Sequence, residues 1–391
     1  MTENRKFILV ATYDWYMYNF KLPIARRLRE EGQQVVLVTP PGPYVETMID
    51  EGYEWREWTL DRHSMNPLKE FWSLLHLVSI YAQERPDVVH HFTAKGILYG
   101  SIAAMLSNVE YVVNAVTGGA SAFGNVISTT NVVYQGVQWM LEQLFRFVLS
   151  GTEVIFQNPD DLDSFVEQDL VERRHTHLIK GSGVDLDSFQ PASEPDGIPK
   201  IMLAGRLLWN KGVGEFVEAS RRINEQERSA RFILVGDTDE SNPMSVSEDQ
   251  IAEWEQEDLV EWWGFQEDMP AVFTDMHIVC SPTFYREGVP KVLIEAAACE
   301  RPIVTTDMPG CREIVRDGEN GFLVPPKDTG ALVSALEKLL ESEQQRKEMG
   351  RTGRQIVREE FSVEQVVLET MNVYEQLTAD GDASITEQGV Q

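Results

Sequence analysis

His277-Ile278-Val279-Cys280-Ser281-Pro282-Thr283-Phe284-Tyr285-Arg286-Glu287-Gly288-Val289-Pro290-Lys291-Val292-Leu293-Ile294-Glu295-Ala296-Ala297-Ala298 sets out a strand, a loop and a helix in succession. His277–Ser281 is an apolar run of strand length, and Pro290 falls where a first helical turn opens, a position its fixed φ suits. The same alternation repeats on either side. Phe7–Ala11, Gln34–Thr39, Asp87–His91, Tyr111–Ala115 and Glu153–Phe156 read as strands in the first half, and Lys200–Ala204, Arg231–Val235 and Pro302–Thr305 in the second. Strand–helix alternation predicts parallel sheets covered on both faces. Gln190–Pro199 holds three prolines and a glycine without apolar periodicity, so it reads as a linker. The expected class is α/β: two doubly wound Rossmann-like domains, 1–189 and 200–361, facing a central cleft. A helix over 362–377, capped by Ser362, and a disordered polar tail over 378–391 complete the expectation.

The chain has 391 residues, enough for two cores, and a net charge of −29. That charge argues against a nucleic-acid partner, which needs clustered Lys and Arg. It equally disfavours attraction of the whole molecule to an anionic membrane. Cys280, Cys299 and Cys311 form no Cys-x-x-Cys pair, so neither a zinc site nor a disulfide framework is expected. With no secretory leader before Phe7, a cytoplasmic location is the reading. Pro67–Tyr81 and Asn131–Ser150 are the most apolar segments. Arg146 is the one basic residue of the second, whereas an interfacial helix carries several, so both read as buried domain helices. Peripheral contact with a membrane stays open.

Chemistry concentrates in three places. The helix expected to open at Pro290 points free N–H groups and a positive dipole end outward, a seat for a diphosphate that Gly288 lets approach closely. Glu287 and Glu295 lie on either side of that seat, roughly 12 Å apart if all eight steps rise as a helix. Taken alone, two glutamates in so acidic a chain are ordinary surface residues. Ala204-Gly205-Arg206-Leu207-Leu208-Trp209-Asn210-Lys211-Gly212 follows the first strand of the second half. Arg206 and Lys211 there suit stabilisation of charge developing on a departing diphosphate. Asp87-Val88-Val89-His90-His91-Phe92-Thr93-Ala94-Lys95 ends a strand of the first half; a histidine in such a place is as readily structural as functional.

Glu-x7-Glu after a strand, with Gly-x-Pro behind the first Glu, resembles the signature of the retaining family-four glycosyltransferases, which have the GT-B architecture. Arg301–Val315 and Gly318–Val324 continue the pattern, and the resemblance spans nearly the whole chain. It implies that Glu287 binds the donor sugar near its reacting end and Glu295 the nucleotide ribose. The amides of Gly288, Val289, Pro290, Lys291 and Val292 would hold phosphate, and Arg206 and Lys211 would fill a metal's role, with no metal or cofactor required. His90 or His91 would approach the sugar. Lys95, Thr117, Gly118 and Gly119 resemble a subgroup acting on lipid diphosphate acceptors, with Lys95 on an acceptor phosphate. Asn158-Pro159-Asp160-Asp161 and Lys180-Gly181-Ser182-Gly183 fit that subgroup too, which adds N-acetylgalactosamine or a related sugar to undecaprenyl-diphosphate-linked saccharides.

The implied partners are a nucleotide-sugar donor, UDP-linked, and a saccharide or lipid-linked saccharide acceptor, met at the inner face of the plasma membrane. Two features depart from the family. Thr12–Phe20 has bulky aromatics and no glycine, and Glu300 stands where the signature helix usually ends on glycine. A sugar-nucleotide epimerase or a non-catalytic platform on the same fold are the rival readings. A nicotinamide dehydrogenase lacks its Gly-x-Gly-x-x-Gly after the first strand.

Overall fold

The computed structural model describes residues 4–61, 64, 66–118, 132–226, 229–239 and 242–388. The chain divides into two compact units. Met1–Ser182 with Val366–Gln391 form unit 1, and Gly183–Gln365 form unit 2. Unit 1 is built on seven parallel strands: β1 Lys6–Val10, β2 Gln34–Thr39, β3 Glu54–Glu57, β4 Val88–Phe92, β5 Tyr111–Val116, β6 Glu153–Phe156 and β7 Thr176–Leu178. They are ordered β3-β2-β1-β4-β5-β6-β7. Unit 2 holds β8 Lys200–Ala204, β9 Arg231–Val235, β10 Glu261–Trp262, β11 Ile278–Ser281, β12 Ile303–Thr306 and β13 Gly321–Val324, ordered β10-β9-β8-β11-β12-β13. Both orders are those of a doubly wound sheet, reversing beside the first strand of each unit. Helices cover both faces, so inner strands such as Phe7-Ile8-Leu9-Val10 are buried throughout.

The domain limits need correction. Residues 190–199 are no free linker but lie on unit 2. The guanidinium of Arg301, itself buried, donates to Ala192 O at 3.0 Å, Arg346 pairs with Glu194 at 2.8 Å, and His277 Nε2 bonds Pro195 O at 3.0 Å. Proline here removes donors without removing carbonyls, and three side chains of unit 2 use those carbonyls or their neighbours. The last helix is Val363–Gln388, longer than expected and continuous through the stretch read as a disordered tail. Its start is as expected, Ser362 Oγ accepting from Gln365 N at 3.2 Å. Thr378 is buried and returns its hydroxyl to Tyr374 O, so no end is marked at Leu377.

The two apolar helices are only half covered. Pro67–Glu84 buries Leu77, Ile80 and Tyr81 but exposes Leu68, Phe71, Trp72 and Leu75. In Val132–Leu149, Phe145, Val148 and Leu149 are buried while Trp139, Met140 and Phe147 are exposed. Among the described residues no helix is long and apolar enough to cross a membrane.

Glu300 adopts φ 56°, the left-handed conformation that glycine normally supplies at a helix end. Glu300→Gly should raise unfolding free energy by about 0.5–1 kcal/mol, by relief of the Cβ clash. Urea denaturation checks this, and a loss of stability would refute it.

Candidate active site

Lys211 and Glu287 meet at the carboxyl edge of the unit 2 sheet, beside the reversal of strand order. β8 hands on to Gly205-Arg206 and a short turn at Trp209–Lys211, while β11 hands on to Pro282–Glu287. Phe284 N and Thr283 Oγ1 both donate to Asn210 O, at 3.0 and 3.3 Å, which stitches the two loops together. Gly212 permits this at φ 83°, since a Cβ there would lie 2.2 Å from Pro282 O. So held, the Lys211 ammonium is ion-paired with the Glu287 carboxylate and lies 5.4 Å from the centre of the Tyr285 ring. Arg206 is half-exposed and lies 3.7 Å from Asp239.

The signature helix is Lys291–Ala298, with Pro290 as its N-cap. Two expectations change here. Pro290 carries no N–H, so the amides of this segment belong to Gly288, Val289, Lys291 and Val292 only. Helical rise covers four of the eight steps from Glu287 to Glu295, so the separation inferred from eight does not apply. Glu295 is 8% exposed, in the second turn, with Lys291 Nζ at 3.6 Å. Burial pushes its carboxyl up to about 7, against the pull of Lys291.

A carboxyl that holds its proton better folded than unfolded stabilises the fold at low pH, and that contribution is lost as pH rises through the folded value. Between pH 5 and pH 8 the wild type should therefore lose about 2 kcal/mol more stability than Glu295→Gln, as read by urea midpoints. Parallel curves for the two proteins would refute the burial of this charge.

In unit 1 the two histidines separate. They are neighbours on β4 and face opposite sides of the sheet. His91 is fully buried; its Nδ1 meets Asn114 Oδ1 at 2.8 Å, its Nε2 meets the Tyr81 hydroxyl at 2.9 Å, and its ring packs over Gly100. With both nitrogens used in the core, His91 is a structural residue and not an acceptor ligand. Burial, opposed by the Asn114 contact, lowers its pKa to about 4. His90 is 1% exposed and bonds the Tyr374 hydroxyl through Nδ1 at 2.6 Å. Its Nε2 has no hydrogen-bond partner among the described residues. Burial first, then Lys21 and His91, hold its pKa well below the usual imidazole range.

Lys95 is anchored. Its ammonium donates to Ser64 O at 2.8 Å, Asp61 O at 3.2 Å and Glu70 at 3.1 Å, which uses its three protons. Lys95 thus ties the segment around Asp61–Ser64 to the Pro67–Glu84 helix. Thr117 and Gly118 follow β5 at the carboxyl edge of the sheet; Gly119 lies outside the described residues.

Three features escape the sequence reading. Asn210 Oδ1 is buried beside Lys211 without a hydrogen-bond partner among the described residues. Its place inside the quoted basic stretch was the available signal. Thr93, a β-branched residue, sits at φ 71° just after β4, a rare conformation that clusters at functional edges. Nothing local in the sequence announces it. Lys21 is buried at 4% exposure, and no motif in the sequence marks it.

Both halves of the chain are similar to known proteins. The family description "Glycosyl transferases group 1" matches residues 198–342, and "Glycosyl transferase 4-like" matches residues 6–158. The N,N'-diacetylbacillosaminyl-diphospho-undecaprenol alpha-1,3-N-acetylgalactosaminyltransferase of Campylobacter jejuni is 26% identical over 87% of this chain and 90% of its own. The UDP-Gal:alpha-D-GlcNAc-diphosphoundecaprenol alpha-1,3-galactosyltransferase of Escherichia coli is 25% identical over 75% of this chain and 76% of its own. In structure, HepE of Anabaena in complex with UDP superimposes with a TM-score of 0.74 over 96% of this chain and 100% of that one, at 18% identity, a likeness of fold. Matched in both halves and folded as two sheets of Rossmann order, the chain belongs to the glycosyltransferases of GT-B architecture.

Proposed function

We propose that this enzyme moves a sugar from a UDP-linked donor, with retention, to a saccharide carried on a lipid diphosphate. It would do so in cell-surface glycan assembly at the inner face of the plasma membrane. The observation that carries the donor side is the Lys211–Glu287 ion pair beside the signature helix. The lipid-linked acceptor rests on the printed activities of the Campylobacter and Escherichia relatives.

In this reading the donor diphosphate lies against the amides of Gly288, Val289, Lys291 and Val292, with Lys211 and Arg206 on its oxygens. As the bond from the anomeric carbon to the diphosphate oxygen breaks, charge grows on that oxygen, and two fixed cations favour the transition state over the ground state. The acceptor hydroxyl adds to the same face of the sugar and passes its proton to the departing oxygen. Glu287, oriented by Lys211, accepts from donor hydroxyls. Glu295 accepts from the ribose through a carboxyl oxygen. Thr117 and Gly118 meet the acceptor, and His90 faces the reacting sugar's side of unit 1.

The test supplies UDP-N-acetylgalactosamine, UDP-galactose or UDP-glucose with a short-chain prenyl-diphosphate saccharide and excess chelator, and reads the new linkage by NMR. An α-linked product formed with chelator present is expected. Donor converted without acceptor would point to an epimerase, and a β-linked product would overturn retention.

A further inference from the structure

Past the carboxyl ends of β2 and β3, the loop that follows β3 leaves an open cleft of about 430 Å³ against the Pro67–Glu84 helix. Its size is that of a small-ligand site. Trp58, Leu60 and Trp72 give it apolar walls, and Glu57, Asp61 and Lys69 stand in its polar lining. The walls are pinned. Trp58 Nε1 donates to Ser73 O at 2.9 Å, Ser73 Oγ donates back to Thr59 O, and the Lys95 ammonium joins Asp61 O to Glu70 of the same helix. Loop and helix therefore form one fixed surface, and the cleft is preformed.

Its chemistry narrows the occupant. Trp72 is 67% exposed, and the face of its ring is the negative side of the ring quadrupole. Such a face suits the C–H side of a pyranose, whose hydrogens are slightly positive. The Glu57 carboxylate is exposed and has no hydrogen-bond or ion-pair partner among the described residues. The Asp61 carboxylate is steadied by Ser64 N at 3.2 Å and by Lys69 at 3.4 Å. Ionised carboxylates only accept, so they answer hydroxyl donors with charge-assisted bonds. A hydrocarbon chain has no donors for them, and a diphosphate meets two carboxylates against one lysine. An indole face and carboxylates in one cleft fit a sugar.

The place says which sugar. The order β3-β2-β1-β4 sets three strand spacings, roughly 14 Å, between the end of β3 and that of β4, the strand that carries His90. A ring held here is not the ring that reacts. We propose that this cleft is a saccharide subsite and that it takes an inner sugar of the acceptor, so that the acceptor is a lipid-linked oligosaccharide and not a single sugar on its diphosphate. The assignment to the acceptor rests on the function proposed above; the saccharide subsite does not.

The experiment uses the full chain labelled with 5-fluorotryptophan, with UDP in excess, and follows the ¹⁹F resonance of Trp72, assigned by its absence in Trp72→Phe. The probes are the methyl glycosides of glucose, galactose, N-acetylglucosamine and N-acetylgalactosamine, with geranyl phosphate and anionic phospholipid vesicles beside them. At least one glycoside should move the resonance saturably and bind fivefold or more weaker in Glu57→Ala. A resonance that no glycoside moves, or equal affinity in Glu57→Ala, would overturn the subsite. Movement by geranyl phosphate or vesicles alone would overturn it too, in favour of a lipid-facing cleft. With geranyl-diphosphate saccharides lengthened one sugar at a time, kcat/KM should rise tenfold or more at the length that reaches the cleft, as remote binding energy is drawn into turnover. Trp72→Ala should abolish that rise. A kcat/KM that does not rise with length would overturn the assignment to the acceptor. Glycoside binding at Trp72 without transfer to any acceptor would instead strike the proposed function and leave the subsite standing.

Discussion

Lys211→Met should lower turnover by roughly 10²–10³-fold, the scale seen when one donor to developing charge is removed. The melting temperature should stay within a few degrees, because the side chain packs at the loop rim and not in a core. Methionine keeps the stem over Tyr285 and removes only the charge. Glu287 then loses the partner that holds its carboxylate, and the departing diphosphate loses a cation. Since the charge is needed most as the bond breaks, the loss should fall on kcat and less on the donor's KM. Lys211→Arg, which keeps the charge, should recover part of the rate. Turnover within threefold of wild type in Lys211→Met would remove this residue from the chemistry, and with it the main support for the donor site.

A comparable loss is expected from a residue that touches no substrate. A Cβ built on Gly310 would lie 1.8 Å from Gly288 O and 2.9 Å from Glu287 O. Those atoms are backbone and cannot swing aside as a side chain tip would. Gly310→Ala must therefore push the loop that carries Glu287, and displacement by about an ångström is enough to cost roughly 10²-fold in rate. Crowding of this kind also costs typically 1–3 kcal/mol of stability. The combination separates it from Lys211→Met: a weaker fold together with weaker UDP binding and slower turnover. Rates like the wild type's would show that the loop moves freely and that its position is not critical.

What the sequence discloses follows from burial. Inner strands such as Gln34–Thr39, Glu153–Phe156, Lys200–Ala204 and Arg231–Val235 have the bounds expected from their apolar runs. The strands that escaped are β3, β7, β10 and β13, and each is the edge of its sheet. Glu54-Trp55-Arg56-Glu57 and Thr176-His177-Leu178 face water along one side, so no continuous apolar run marks them. The site divides in the same way. Lys211, Glu287 and Glu295 are legible because they lie in one or two local segments with fixed spacing. His90, His91 and Lys95 are not, because their roles are decided by residues far off in the chain: Tyr374, Tyr81 with Asn114, and Glu70. Adjacent letters in the sequence sent two histidines to opposite faces of a sheet, and only the partners on each face tell which one has a nitrogen to spare.

The last helix has a consequence for how the molecule is made. Its residues from Val366 onward complete unit 1, with Tyr374 against Phe7 at 5.2 Å between ring centres and Val366, Met371 and Val373 in the same core. Unit 2 lies wholly within the chain between the two parts of unit 1. A ribosome therefore releases every strand of the first sheet long before the helix that closes it, and finishes unit 2 in the interval. The half begun first is the half completed last, reversing the usual order in which domains mature during synthesis. Until that helix emerges, the face of β1 and β4 that Tyr374 covers stays open, so the nascent chain has its greatest need of a chaperone at the strands that will later frame His90.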